Sequence, residues 1–273
     1  MGVLLPRSRR SHCCSAALNL KTGAEMRVGL FVTCLADLMR PSIGTSTLKL
    51  LEKAGCEVVF PMTQTCCGQP AYNSGDSENA KRLAKKLISE FADVDYVVVP
   101  SGSCAGMIKE HYTKLFESDK EFLSKSEWLG ARTFELADFL VNVLRVENIE
   151  SSFQGEVTYH DSCAGLRELG IKEQPRKLLS KLQHVAIKEM PGAEQCCGFG
   201  GTFSIKYGDI SGRLADLKCE EVEQSGADTL VLGDLGCILN IEGRLRRRGN
   251  SKTKVLHIAE VLAGENLGNE TPK

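Results

Sequence analysis

Eight cysteines carry the chemistry on offer in this sequence. They fall as Cys34, Cys66-Cys67-Gly68 and Cys104, and again as Cys163, Cys196-Cys197-Gly198 and Cys237. The intervals match: 31 residues lie between Cys34 and Cys66 and 32 between Cys163 and Cys196, while 36 and 39 residues lead from each vicinal pair to the last cysteine. A pattern written twice at this length is the signature of a duplicated domain. Four thiolates are the full ligand set of a 4Fe-4S cluster and equally of a tetrahedral zinc ion. Spacing favours iron–sulphur, because structural zinc ligands usually come in local pairs about two to four residues apart and only the vicinal pair is local here. Adjacent side chains on extended backbone point to opposite faces, so both members of a vicinal pair reach one centre only where the chain turns. Gly68 and Gly198 supply that turn, and a glycine there also lets backbone N–H groups approach cluster sulphurs and tune their potential. Two other readings stay open, a set of buried unreactive thiols and a vicinal disulphide switch. Recurrence in register with glycine after both pairs speaks against the first. Cys56 and Cys219 stand outside the repeat and read as core thiols.

Short β-branched or apolar runs precede the cysteines and must position them. In the first half, strands are predicted over 27–33, 57–60 and 96–100; in the second, over 156–159, 185–190 and 229–233. Helical patterns fall between them, over 46–53, 77–91, 174–181 and 210–224. Each half closes on a similar helix, 135–144 and 257–262, where ELADFL echoes HIAEVL. Alternating strand and helix predict an α/β fold of tandem duplicated domains. Each is a small parallel sheet flanked by helices, with the cysteine ligands on loops at strand ends. The predicted divisions are an N-terminal extension 1–25, a first domain 26–150, a second domain 151–264 and a tail 265–273. Residues 118–130 have no counterpart in the second half and read as a polar insertion carrying Trp128.

The strings TCCGQPAYNSG, SGSCAGM, YHDSCAGLRELG, EQCCGFGGTFS and LGCILNI resemble the cysteine-rich (CCG) domain family of iron–sulphur proteins. The likeness runs from Met26 to Ala263. Within the family the duplicated, free-standing form is similar to the lactate utilisation protein A group and, more distantly, to the glycolate oxidase iron–sulphur subunit. That resemblance implies an electron-transfer subunit of a complex that oxidises L-lactate, or a similar 2-hydroxy acid such as glycolate, to pyruvate in the lactate case. It implies iron–sulphur clusters, one 4Fe-4S per domain on the eight cysteines, and partnership with a ferredoxin-like iron–sulphur subunit and a third companion. No catalytic residue acting on carbon is visible on this chain. Heterodisulfide reductase relatives carry a fifth cysteine after the last one, with two residues between. Met107 and Asn240 stand at those places here, so a thiol/disulfide redox enzyme is the lesser alternative, beside zinc in one site and a zinc-stabilised scaffold.

Composition sets the outer bounds. The 273 residues are 42% hydrophobic and 25% charged, enough to bury a sizeable core. The 34 basic and 35 acidic side chains leave a net charge of −1, which gives no general attraction to nucleic acid or anionic lipid. No apolar run approaches the ~18 to 20 residues of a membrane-spanning helix. Residues 1–25 hold Arg7, Arg9, Arg10 and Lys21 against Glu25, a faint likeness to a transit peptide, and Cys13 and Cys14 carry no expected role. With no export signal, a reducing, cytoplasmic setting is expected, where cysteine-rich chains bind metal or do redox chemistry. The Gly198-Phe199-Gly200-Gly201 run lacks a complete dinucleotide fingerprint. His160-Asp161 precedes Cys163 where Phe31 holds the matching place in the first half, and the histidine reads as structural, with a hydrogen bond to a cluster or a proton relay as the alternatives. Arg244, Arg246, Arg247 and Arg248 are expected to form a solvated basic face, with docking to an acidic partner as the second reading.

Overall fold

The computed structural model describes residues 26–264; the expected extension 1–25, with Cys13 and Cys14, and the tail 265–273 lie outside the described residues. The first half forms strands β1 (Arg27–Leu30), β2 (Glu57–Val59), β3 (Tyr96–Val99) and β4 (Thr133–Glu135). The second forms β5 (Gly155–His160), β6 (Val185–Ile187), β7 (Thr229–Leu232) and β8 (Lys254–His257). Both sheets are parallel and share one order, β2-β1-β3-β4 and β6-β5-β7-β8. The inner strands β3 (YVVV) and β7 (TLVL) are buried at every position, as expected for strands covered by helices on both faces, while the edge strands β2 and β6 are partly exposed.

This order fixes where the cysteines go. The chain leaves β1 toward β2 on one side and β3 lies on the other, so a crevice opens beyond the carboxyl ends of β1 and β3. Cys34 follows β1 and Cys104 follows β3; Cys163 follows β5 and Cys237 follows β7. Each begins or lies in the first turn of a helix: Cys34–Met39, Gly102–Gly106, Cys163–Arg167 and Leu235–Arg247.

Pairing between the halves repeats with approximate two-fold symmetry. The Cys34–Met39 helix meets the Leu235–Arg247 helix, and the Gly102–Gly106 helix meets the Cys163–Arg167 helix. The latter contact is close. A methyl group at Gly102 would come within 3.0 Å of the Gly165 backbone, so only glycine fits. The loops that carry Cys104 and Cys237 are bonded to each other: Asp234 accepts from the Ser103 N–H at 2.9 Å and from the Ser101 hydroxyl at 3.1 Å. Behind them one apolar cluster runs through both sheets, with Val28, Leu30 and Ile43 from the first half and Leu178, Ile258 and Val261 from the second.

The expected insertion is a helix, Lys120–Arg132, capped by Asp119 and packed on the Met107–His111 turn. Arg132 stacks on Trp128 at 4.3 Å, and the helix runs directly into β4. The expected basic face is largely neutralised. Arg244 and Arg248 pair with Asp216 of the Gly208–Ser225 helix, Arg248 also reaches Glu220 and Glu223, and Arg246 pairs with Glu242. These arginines pin two helices together. No helix among the described residues is long and apolar enough to cross a membrane.

Candidate metal centre

Three loops meet at the carboxyl edge of each sheet. In the first half, Gly68 at φ 91° turns the chain immediately after the vicinal pair, and Gly198 at φ 87° does the same in the second. Left-handed backbone suits glycine, and at Gly198 space enforces it as well, since a methyl group would sit 2.6 Å from the Ser211 carbonyl oxygen. Beside the turn, the four thiols of each half are linked in a chain of pairwise sulphur contacts. Cys66 lies in hydrogen-bond contact with Cys34 and Cys67, and the Cys67 and Cys104 sulphurs are 3.3 Å apart. In the second half Cys196 contacts Cys163 and Cys197, and Cys197 contacts Cys237. Cys56 and Cys219, by contrast, are buried apart from both quartets, as expected of core thiols.

Polarity within each quartet is uneven. The Cys34 and Cys67 thiols donate to Cys66, and the Gly68 N–H adds a bond of 3.4 Å, so Cys66 is held well below the usual thiol range as the thiolate of its set. Cys196 is held down in the same way by Cys163, Cys197 and the Gly198 N–H at 3.3 Å. Cys34, Cys67, Cys163 and Cys197 are pushed up, chiefly by those same sulphur–sulphur hydrogen bonds and then by burial. Exposure follows a gradient from Cys34, which is exposed, to Cys67, Cys197 and Cys237, which are buried. The first pocket is therefore open at Cys34, and in both pockets the second member of the vicinal pair is closed off from water.

The CCG cysteine-rich domain family matches residues 28–109 and 157–242, each match enclosing one quartet. This chain belongs to that family. It is 52% identical over 241 residues to the lactate utilization protein A of Geobacillus thermodenitrificans strain NG80-2, covering 88% of this chain and all of that protein. It is 49% identical over 237 residues to the lactate utilization protein A of Bacillus subtilis strain 168, covering 87% of this chain and 99% of that one. Among solved structures, a hypothetical protein from Helicobacter pylori shares the fold with a TM-score of 0.63 at 14% identity. That alignment covers 89% of this chain and half the length of the Helicobacter chain.

Around the two CCG quartets are supports with no counterpart in the cysteine pattern. The Tyr112 hydroxyl donates to the Cys67 carbonyl at 2.7 Å, and the Asn240 amide donates to the Cys197 carbonyl at 2.8 Å. Asn240 thus occupies the fifth-cysteine place of the reductase relatives as a backbone brace, while Met107 is wholly buried in the core. A lysine ties each CCG loop to the helix behind it: Lys86 holds the Thr63 carbonyl and Glu90, and Lys218 holds the Gly192 carbonyl and Glu221. In the second half His160 is completely buried, and neither ring nitrogen has a hydrogen-bond partner. Burial pushes its imidazolium down to about 3, so the ring is neutral, and a ring nitrogen with the Cys197 and Cys237 sulphurs lies within 4.8 Å of one another. Four sulphurs meeting in each pocket, with an orphaned imidazole beside one of them, fit a thiolate-bound metal centre.

Proposed function

We propose that the chain is the iron–sulphur electron-transfer subunit of a cytoplasmic complex that oxidises L-lactate, or a related 2-hydroxy acid such as glycolate, to its 2-oxo acid, pyruvate from lactate. Cys34, Cys66, Cys67 and Cys104 would hold one 4Fe-4S cluster, and Cys163, Cys196, Cys197 and Cys237 the other. The observation that carries this reading is the convergence of two equivalent thiol quartets in a chain about half identical to proteins named for lactate utilization. When bound, such clusters supply one-electron redox chemistry. The chain's own part is to hold each quartet on preformed loops, to present the Gly68 and Gly198 N–H groups to sulphur, and to bury the inner thiols from water. It would work beside a ferredoxin-like subunit and a third companion, taking electrons from the partner that oxidises the substrate.

Anaerobic purification followed by iron and acid-labile sulphide analysis tests this, with EPR after dithionite reduction. About eight iron and eight sulphide per chain are expected for two 4Fe-4S sites. Cys197→Ala is expected to remove one of two EPR signals and half the iron. Colourless protein holding only zinc would overturn the reading. Zinc in the second half alone is the variant that His160, beside Cys197 and Cys237, would favour, and metal analysis of Cys197→Ala separates it.

A further inference from the structure

We infer that His160 donates an N–H hydrogen bond to a ligand sulphur of the second quartet and that this makes the second site the more easily reduced of the two. The inference rests on the iron–sulphur reading and adds a polarity to it. His160 ends β5, three residues before Cys163, paired in register with Leu232. An imidazole carries at least one N–H in either protonation state, and a buried N–H without a partner is rare in folded proteins. The acceptors nearby are the Cys197 and Cys237 sulphurs within 4.8 Å and the Ala193 carbonyl, which already takes the Asp161 N–H at 3.0 Å and makes no well-formed bond to the ring.

At the equivalent place, three residues before Cys34, stands Phe31. It is as buried as His160 but packs edge-on against Phe91, with ring centroids 6.1 Å apart, and offers no donor. The remaining surroundings are close to balanced except at Arg167, whose charge acts on Cys163 where the first half has Leu38, and the His160→Phe comparison holds that charge constant. Gly68 and Gly198 donate to Cys66 and Cys196 at 3.4 and 3.3 Å, and Tyr112 and Asn240 bond carbonyls, not sulphur. Lys218 is a buried cation near the second quartet, but Glu221 neutralises it at 2.5 Å, just as Glu90 pairs with Lys86 in the first half. His160 is therefore the donor that the second half has and the first lacks. A hydrogen bond to cluster or ligand sulphur draws off negative charge and stabilises the reduced state more than the oxidised one. An electron shared between the sites would settle on the second.

The test uses the full chain, loaded anaerobically. Iron and sulphide content is read first; absence of iron there defeats the iron–sulphur reading itself and not this step alone. With both sites filled, EPR-monitored redox titration is expected to show two signals at separated potentials. His160→Phe, which copies the first half, should lower the higher one by at least a tenfold change in the oxidised-to-reduced ratio, ~59 mV for a one-electron couple. His160→Gln keeps an N–H and should restore most of the shift. On wild-type protein carrying nitrogen-15 histidine, pulsed EPR should find a weak nitrogen coupling on that signal, which needs no variant to fold. Full iron content with unmoved potentials in His160→Phe, or a strong coupling from a direct iron–nitrogen bond, would overturn the inference, as would zinc in the second site.

Discussion

In the first quartet, the thiol that ionises first is not the one water reaches most easily. Cys34 is exposed, yet its proton is held in the hydrogen bond to Cys66, which carries the negative charge with help from the Gly68 N–H. Thiolate, not thiol, attacks an electrophile or captures a metal. Limiting iodoacetamide on the metal-free, reduced protein near neutral pH should therefore label Cys66 and Cys196 first, roughly tenfold or more ahead of Cys34 and Cys163. Cys56 and Cys219, which burial pushes up to about 11, should label last. Peptide mapping by mass spectrometry reads the order, and Cys34 leading would mean that exposure governs instead. The cysteines and their glycines could be found in the sequence because type and spacing repeat. Tyr112 and Asn240 could not, because the two halves brace the same carbonyl with different side chains at different distances from the last cysteine.

The elements hold a second asymmetry where the fourth strand of each sheet turns into the closing helix. These strands, β4 and β8, are absent from the sequence-based prediction, which places three strands in each half. Both are short and run straight into helical pattern, so periodicity gives the helix and hides the strand. The six positions of the shared core strands β3 and β7 that are apolar on both faces were easier to recognise, because burial on two sides writes a continuous run. The capping residues at the turn differ: Glu135 accepts from the Ala137 N–H at 2.8 Å, and the equivalent His257 accepts from the Ala259 N–H at 3.1 Å. Burial raises the Glu135 carboxyl to about 8 and lowers His257 to about 4. Folded Glu135 keeps a proton that the unfolded chain releases from about pH 4.5 upward, so its contribution is full below that pH and is lost as pH rises through 8. His257 behaves oppositely: its contribution is full above about pH 6.5 and is lost as pH falls toward 4. The two slopes oppose each other in acid, and of this pair only Glu135 still changes its contribution between about 6.5 and 8. Glu135→Gln, which keeps the cap oxygen, should gain on wild type as pH rises, by a few kcal/mol above pH 8, read as the difference between the two proteins' urea-unfolding free energies so that the opposing contribution of the Cys66 and Cys196 thiolates cancels. An unchanged slope in Glu135→Gln would assign the pH dependence elsewhere.

At the scale of the whole molecule, duplication has produced two sheets that share one core between them, while a second cluster lies within the first half alone. The helix Ile258–Ala263 of the second half packs on Ser42–Lys53 of the first, and Leu136–Asp138 of the first packs on Glu173–Leu179 of the second. The same apolar cluster lines both contacts. A buried glutamate crosses the boundary too, as Glu260 accepts from Arg40 at 2.8 Å and from the Ser42 hydroxyl at 2.6 Å. Cutting the chain near 150 would expose Ile43 and Leu50 on one piece and Ile258 and Val261 on the other. Each such side chain returned to water costs roughly 1.5–3 kcal/mol, and Glu260 would lose the partners that make its burial tolerable. Fragments 26–150 and 151–264 should therefore fail to fold singly, showing no cooperative unfolding transition and no stable metal uptake, and should recover both when expressed together. The sequence repeat alone would have suggested two independent modules. The distinction has a functional edge: if each fragment folds and loads by itself, the two centres are separable units. If neither does, the loops carrying Cys104 and Cys237, bonded through Asp234, are held in place only by the shared core, and the relative position of the two centres is a property of the whole chain.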